Sequence, residues 1–134
     1  MKQLGSMKFK ALQVINVNQK YQTTVKELTL DDLSPGEVVI DVDFSSLNYK
    51  DALAITGAGK ILRRFPLIPG IDMSGTVHSS ADSRFKVGDS VLVTGCGLGE
   101  SHDGGFSQVV RVPGDWVVSL PSGLNAKEAM ILGT

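Results

Sequence analysis

The chain has 134 residues, 42% hydrophobic and 20% charged, which fits one globular domain with a real core. A net charge of -1 and 6% aromatic residues leave no case for a nucleic-acid, membrane-surface or base-stacking protein. The single cysteine, Cys96, excludes an internal disulfide and points to a reducing, cytoplasmic setting, and no apolar run approaches the roughly 20 residues of a membrane span.

In chain order, residues 1–6 lack the apolar core of a signal peptide and read as an added tag or leader, with Met7 as an original start. Residues 9–17 are rich in β-branched and apolar side chains and read as a strand. Asn16, Asn18 and Gln19 supply a turn, and residues 23–28 the return strand. Asp31-Asp32-Leu33-Ser34-Pro35-Gly36 is a turn cluster. Residues 37–44 alternate: Val38, Ile40, Val42 and Phe44 face one way, Val39, Asp41 and Asp43 the other, the pattern of a half-buried strand.

A helix should follow. Asn48 is a suitable N-cap, Asp51 stands three residues on as in a capping box, and Gly57-Ala58-Gly59 supplies the stop. Tyr49 and Lys50 then sit in the first turn of a fixed helix beside a strand end, a good place for groups that must be positioned on a substrate. The plainer alternative is a capped helix with an ordinary buried tyrosine.

Pro66 and Pro69 bracket an extended loop that reaches Gly70-Ile71-Asp72. Residues 73–79 form the next strand, and Gly75 inside it marks a bulge or a close backbone approach. Lys86-Val87-Gly88-Asp89 is a tight turn before a short strand at 90–94. Residues 95–105 are a glycine-rich loop of low hydrophobicity. Two more strands, 106–112 and 116–120, are split by Pro113-Gly114-Asp115, and Asn125-Ala126-Lys127-Glu128 is a second capping box opening a short helix at Ala126. Seven short strands with glycine and proline turns and two short helices make a mainly β protein, a sandwich or partly open barrel.

The glycines of Gly95-Cys96-Gly97-Leu98-Gly99 have the wrong spacing for a dinucleotide cradle, and no adequate helix follows them. Ser101, His102 and Asp103 are adjacent on one loop and cannot converge as nucleophile, base and orienter, so a solvated loop is the favoured reading. His78 reads as a strand-surface or edge residue. Cys96 has no basic partner near in sequence and reads as a small buried or loop residue. Cys96, His78 and His102 fall at no metal-ligand spacing.

The ordered phrases Asn48-Tyr49-Lys50-Asp51, Ile68-Pro69-Gly70-Ile71-Asp72-Met73-Ser74-Gly75-Thr76-Val77, Val87-Gly88-Asp89-Ser90-Val91 and Gly104-Gly105-Phe106-Ser107-Gln108 resemble a known family. It is the N-terminal GroES-like domain of medium-chain dehydrogenases/reductases, in the zinc-free acrylyl-CoA reductase and quinone oxidoreductase (YhdH/YhfP-like) branch. The resemblance spans residues 7–134. It implies a GroES-like, partly open β-barrel forming the substrate wall of a two-domain NADPH oxidoreductase, with hydride passing to an activated alkene such as an enoyl thioester, or to a quinone.

It also implies roles. Tyr49 matches a tyrosine near the nicotinamide, a catalytic and cofactor contact able to donate a hydrogen bond. Asn48 is assigned to cofactor or substrate, or only caps the helix. Lys50, Asp72 and His102 are assigned to substrate. Zinc-dependent relatives carry a ligand cysteine at the position of Asn48 and a Gly-His-Glu phrase where this chain has Gly70-Ile71-Asp72, so no metal is expected. Asp72 should anchor its loop through hydrogen bonds, with Tyr49 or Lys50 as candidate partners. The family's Rossmann domain and closing strands lie outside this sequence. The expectation is therefore a truncated chain that holds no NADPH tightly, is inactive alone and self-associates through exposed strand edges. A stand-alone, non-catalytic GroES-like binding or assembly module is the alternative.

Overall fold

The hairpin that opens the domain is dictated by Asn18 and Gln19, whose backbones take φ of 52° and 67° and turn the chain in two residues. In the computed structural model, which describes residues 7–132, this hairpin joins β1 (Lys8–Val17) to β2 (Lys20–Thr29). The expectation for residues 1–6 lies outside the described residues. The other strands are β3 (Val38–Ser45), β4 (Asp72–Ser80), β5 (Ser90–Thr94), β6 (Val109–Val112) and β7 (Val118–Ser119), and the helices are α1 (Tyr49–Thr56) and α2 (Ala126–Leu132). The strands make a two-stranded sheet and a five-stranded antiparallel sheet in the order β6-β3-β4-β5-β7. The sheets stay open rather than closing into a barrel, so the β-rich GroES-like expectation holds in its partly open form.

Apolar side chains divide into three clusters. The largest lies on the five-stranded sheet, around Ile40, Met73, Val77, Val91, Val93 and Val110. A second, with Phe9, Leu28, Val39 and Ile68, glues the hairpin to that sheet. A third packs Val14, Ala54, Leu62 and Leu67 together, which fastens α1 to the hairpin. The hairpin also bonds to the proline-bracketed loop through Val14 and Leu67, with N–H to O distances of 2.8 and 3.1 Å.

Three expectations need correction. The strict alternation over 37–44 fails because Val39 is buried along with Val38 and Ile40, and Phe44 is half-exposed. Register shifts at Val39/Ile40 and Val42/Phe44 break the two-residue repeat, and the hairpin covers the second face. The single strand expected over 106–112 is shared between two partners. Only Val109–Val112 pairs with β3, while the Phe106 carbonyl accepts from Leu12 N–H and Gln108 N–H donates to Lys10. The strand expected over 116–120 shrinks to Val118–Ser119, because Gly114–Trp116 forms a 3-10 turn.

Candidate active site

The site begins with a helix start that needs more than its local cap. Asp51, in the first turn of α1, is fully buried. One of its oxygens accepts the Asn48 backbone N–H at 2.9 Å, as a capping-box acid does, and the other accepts Ile71 N–H at 2.9 Å. The carboxylate thus ties the helix to the loop before β4. Asp72, the next residue along, is also fully buried. It accepts Ser46 N–H at 3.2 Å, Ser46 Oγ at 2.6 Å and Asn48 Nδ2 at 3.1 Å. Asn48 Nδ2 also reaches Asp51 at 3.3 Å, so one amide stands between two buried acids. Buried carboxylates are tolerable only when donors surround them, and N–H and O–H groups here meet that demand.

This frame immobilises residues 46–51 and leaves Tyr49 outside it. Tyr49 is 81% exposed, which corrects the plain reading of a buried tyrosine. Lys50 forms an ion pair with Glu100 from the glycine-rich loop. That loop reaches α1 because its glycines lie on other backbone. A Cβ on Gly99 would fall 2.7 Å from Gly70 backbone atoms. The same packing accounts for the glycine run without a phosphate cradle.

His102 was expected in a solvated loop, and the structure overturns that. The ring is buried, donates from Nε2 to the Arg111 carbonyl at 2.7 Å and meets Trp116 edge-on at a centroid distance of 4.8 Å. Burial lowers its pKa from the ordinary value of 6.5. Its neighbour Asp103 turns elsewhere, accepting Ser34 N–H and Ile68 N–H at 3.0 Å each. Ser101, His102 and Asp103 therefore form no triad. His78 lies on central β4, not at an edge, with Nδ1 3.0 Å from Asp41. Cys96 is exposed, in a loop. Among the described residues no three His, Cys, Asp or Glu side chains could share a metal ion, and no helix is long and apolar enough to cross a membrane.

The structure joins Asn48 to Asp72, sets Tyr49 and Lys50 beside them in the first turn of α1, and buries His102 against Arg111 and Trp116. Sequence reasoning missed Ser46, Asp51's long-range bond and Glu100. The signal for Ser46 was its place two residues before the cap; Glu100 carried none.

An open antiparallel sheet with a capped helix set at the β3 end, pinned through Asp51 and Asp72 to the start of β4, defines a GroES-like domain of the dehydrogenase type. The chain belongs to the alcohol dehydrogenase GroES-like domain family, whose model matches residues 34–122. It is 57% identical over 118 residues to AcuI of Escherichia coli, covering 87% of this chain and 36% of that protein. Acrylyl-CoA reductase AcuI of Ruegeria pomeroyi is 50% identical over 115 residues, covering 86% and 35%. The YhdH oxidoreductase of Salmonella enterica, solved in complex with NADP, superposes with a TM-score of 0.90 at 54% identity, over 95% of this chain and 39% of that one. The chain thus spans little more than a third of these relatives.

Proposed function

We propose that this domain is the substrate-side wall of an NADPH-dependent oxidoreductase that reduces the C=C bond of an acrylyl-CoA-like enoyl thioester, or a quinone. The observation that carries the reading is the exposed Tyr49 on a helix turn held by two buried carboxylates. Holding a polar side chain in solvent on so constrained a turn suits a group that must meet a ligand at a fixed place. When bound, the reduced nicotinamide supplies the hydride. Tyr49 would contact cofactor or substrate, its phenol donating to a carbonyl oxygen on which negative charge develops. Asn48 holds the turn and borders both ligands. Lys50, fixed by its ion pair with Glu100, would offer an ammonium donor beside the substrate, and Asp72 acts by positioning Asn48 and Ser46. The described residues offer no phosphate cradle, so the nucleotide phosphates would be held elsewhere.

The test is a graft: residues 7–132 replace the matching segment of Ruegeria pomeroyi AcuI, and NADPH consumption is followed with acrylyl-CoA and with a simple quinone. Turnover of acrylyl-CoA is expected. A folded graft that binds NADPH but reduces neither substrate would overturn the reading and favour a non-catalytic binding module.

A further inference from the structure

A pocket of about 470 Å³ lies between the hairpin and the chain after α1, lined by Asn16, Gln19, Tyr21, Lys60 and Leu62. It is unlike the packed clusters around it. Its apolar part is buried Leu62 and the half-buried Tyr21 ring, which is fixed edge-on to Phe65 at 4.9 Å. Its rim carries two side-chain amides and an ammonium. Lys60 has a φ of 49°, a region this residue type rarely adopts, whereas the positive φ of Gln19 belongs to the hairpin turn.

The surrounding charge is one-sided. From residue 52 to residue 71 there is no acid, while Lys60, Arg63 and Arg64 are basic. Arg64 is taken by Asp103, but Lys60 and Arg63 have no carboxylate partner among the described residues. The pocket is also connected to Tyr49. Gly57, at the C-terminal end of α1, abuts the Tyr21 ring, so pocket and Tyr49 are separated by a helix of eight residues, about 12 Å. The following loop then runs back along the helix: Gly59 packs on Leu53, and Arg63 N–H donates to the carbonyl of Glu100, whose side chain pairs with Lys50. The net positive charge beside α1 therefore rests on Lys60 and Arg63, Lys50 being paired with Glu100 and Arg64 with Asp103.

We propose that this pocket holds the nucleotide end of a CoA thioester whose acyl end lies at Tyr49, an inference that rests on the reading of the domain as an enoyl-thioester reductase. The adenine lies against Tyr21 and Leu62, with Asn16 and Gln19 offering donors and acceptors to its ring edge. Lys60 and Arg63 meet the phosphates. The pantetheine arm follows the α1 loop and spans the distance to the reacting carbon.

The test titrates the 134-residue chain with free CoA, dephospho-CoA and NADPH, following backbone amide signals by NMR. CoA is expected to move the signals of residues 16–21 and 57–63, with dephospho-CoA binding more weakly. The double variant K60E/R63E, at two exposed positions outside the core, should weaken CoA binding by about tenfold or more. Unmoved signals at saturating CoA, equal binding of NADPH in the same place, or unchanged affinity in the variant would each overturn the proposal. In the AcuI graft the same pair should raise KM for acrylyl-CoA and leave KM for NADPH unchanged. An active graft whose acrylyl-CoA KM does not move removes the pocket and keeps the function. An inactive graft, with CoA still shifting these signals in the chain, keeps the pocket and removes the function.

Discussion

Asn48 donates its side-chain amide to Asp72 Oδ2 at 3.1 Å while its backbone N–H is held by Asp51 Oδ2 at 2.9 Å, so the residue that starts α1 also joins the helix to β4. Removing that amide strips a donor from two buried acids at once. Asn48→Ala is therefore expected to lower stability by about 1–3 kcal/mol, more than the loss of an exposed cap alone would cost. Asn48→Asp, which places a third carboxylate against the two, should cost more still. Urea denaturation of the three proteins measures this. Equal stability would mean that the acids are held without Asn48.

The two links differ in how legible they were. Asn48, Asp51 and Gly57 announce a helix because capping bonds act over three or four residues, and the chain shows such spacing directly. Asp51 to Ile71 and Asp72 to Ser46 join residues 20 and 26 positions apart, and no local pattern marks them. The 95–105 loop misled for a physical reason. Its polar, glycine-rich composition signals solvent, yet glycines also let backbone lie on backbone, and that is how Leu98, His102 and Asp103 come to be buried. The phrases around Tyr49 and Asp72 pointed to the family well before the geometry that connects them was visible.

Tyr49→Phe separates position from chemistry. The side chain is 81% exposed, so stability should stay within about 0.5 kcal/mol of the parent. In the AcuI graft the lost hydroxyl should lower kcat/KM for acrylyl-CoA by about tenfold, the value of one hydrogen bond made to developing charge. An unchanged kcat/KM would confine Tyr49 to a surface role.

Gly75 permits β3 and β4 to approach where Val42 faces it across the ladder. A Cβ there would stand 2.1 Å from the Asp41 carbonyl oxygen. Gly→Ala within a strand ordinarily gains a little from the unfolded state. Here the clash is with backbone and cannot be relieved by turning a side chain, so the sign reverses. Gly75→Ala should destabilise by about 3 kcal/mol, read from the urea midpoint. A neutral or stabilising result would show that the two strands can slide apart without cost.

His102 makes stability depend on pH in a known direction. The Arg111 carbonyl can only accept, so Nε2 carries the proton in the neutral ring, and Nδ1 is left as the acceptor. Burial disfavours the charged ring and lowers its pKa below the ordinary 6.5. Unfolding therefore takes up a proton between the lowered folded value and 6.5. The stabilisation from the neutral ring is complete above 6.5 and is lost as pH falls through that window towards the folded value. Desolvation of the charged ring outweighs the pull of Asp103 and of the Arg111 carbonyl, which favour protonation. The informative quantity is the difference between the parent and His102→Gln, whose amide can still donate to the Arg111 carbonyl. The variant should be less stable at neutral pH, through lost contact with Trp116, and its unfolding free energy should fall less steeply on acidification. Parallel pH profiles would assign the acid sensitivity of the domain to groups other than His102.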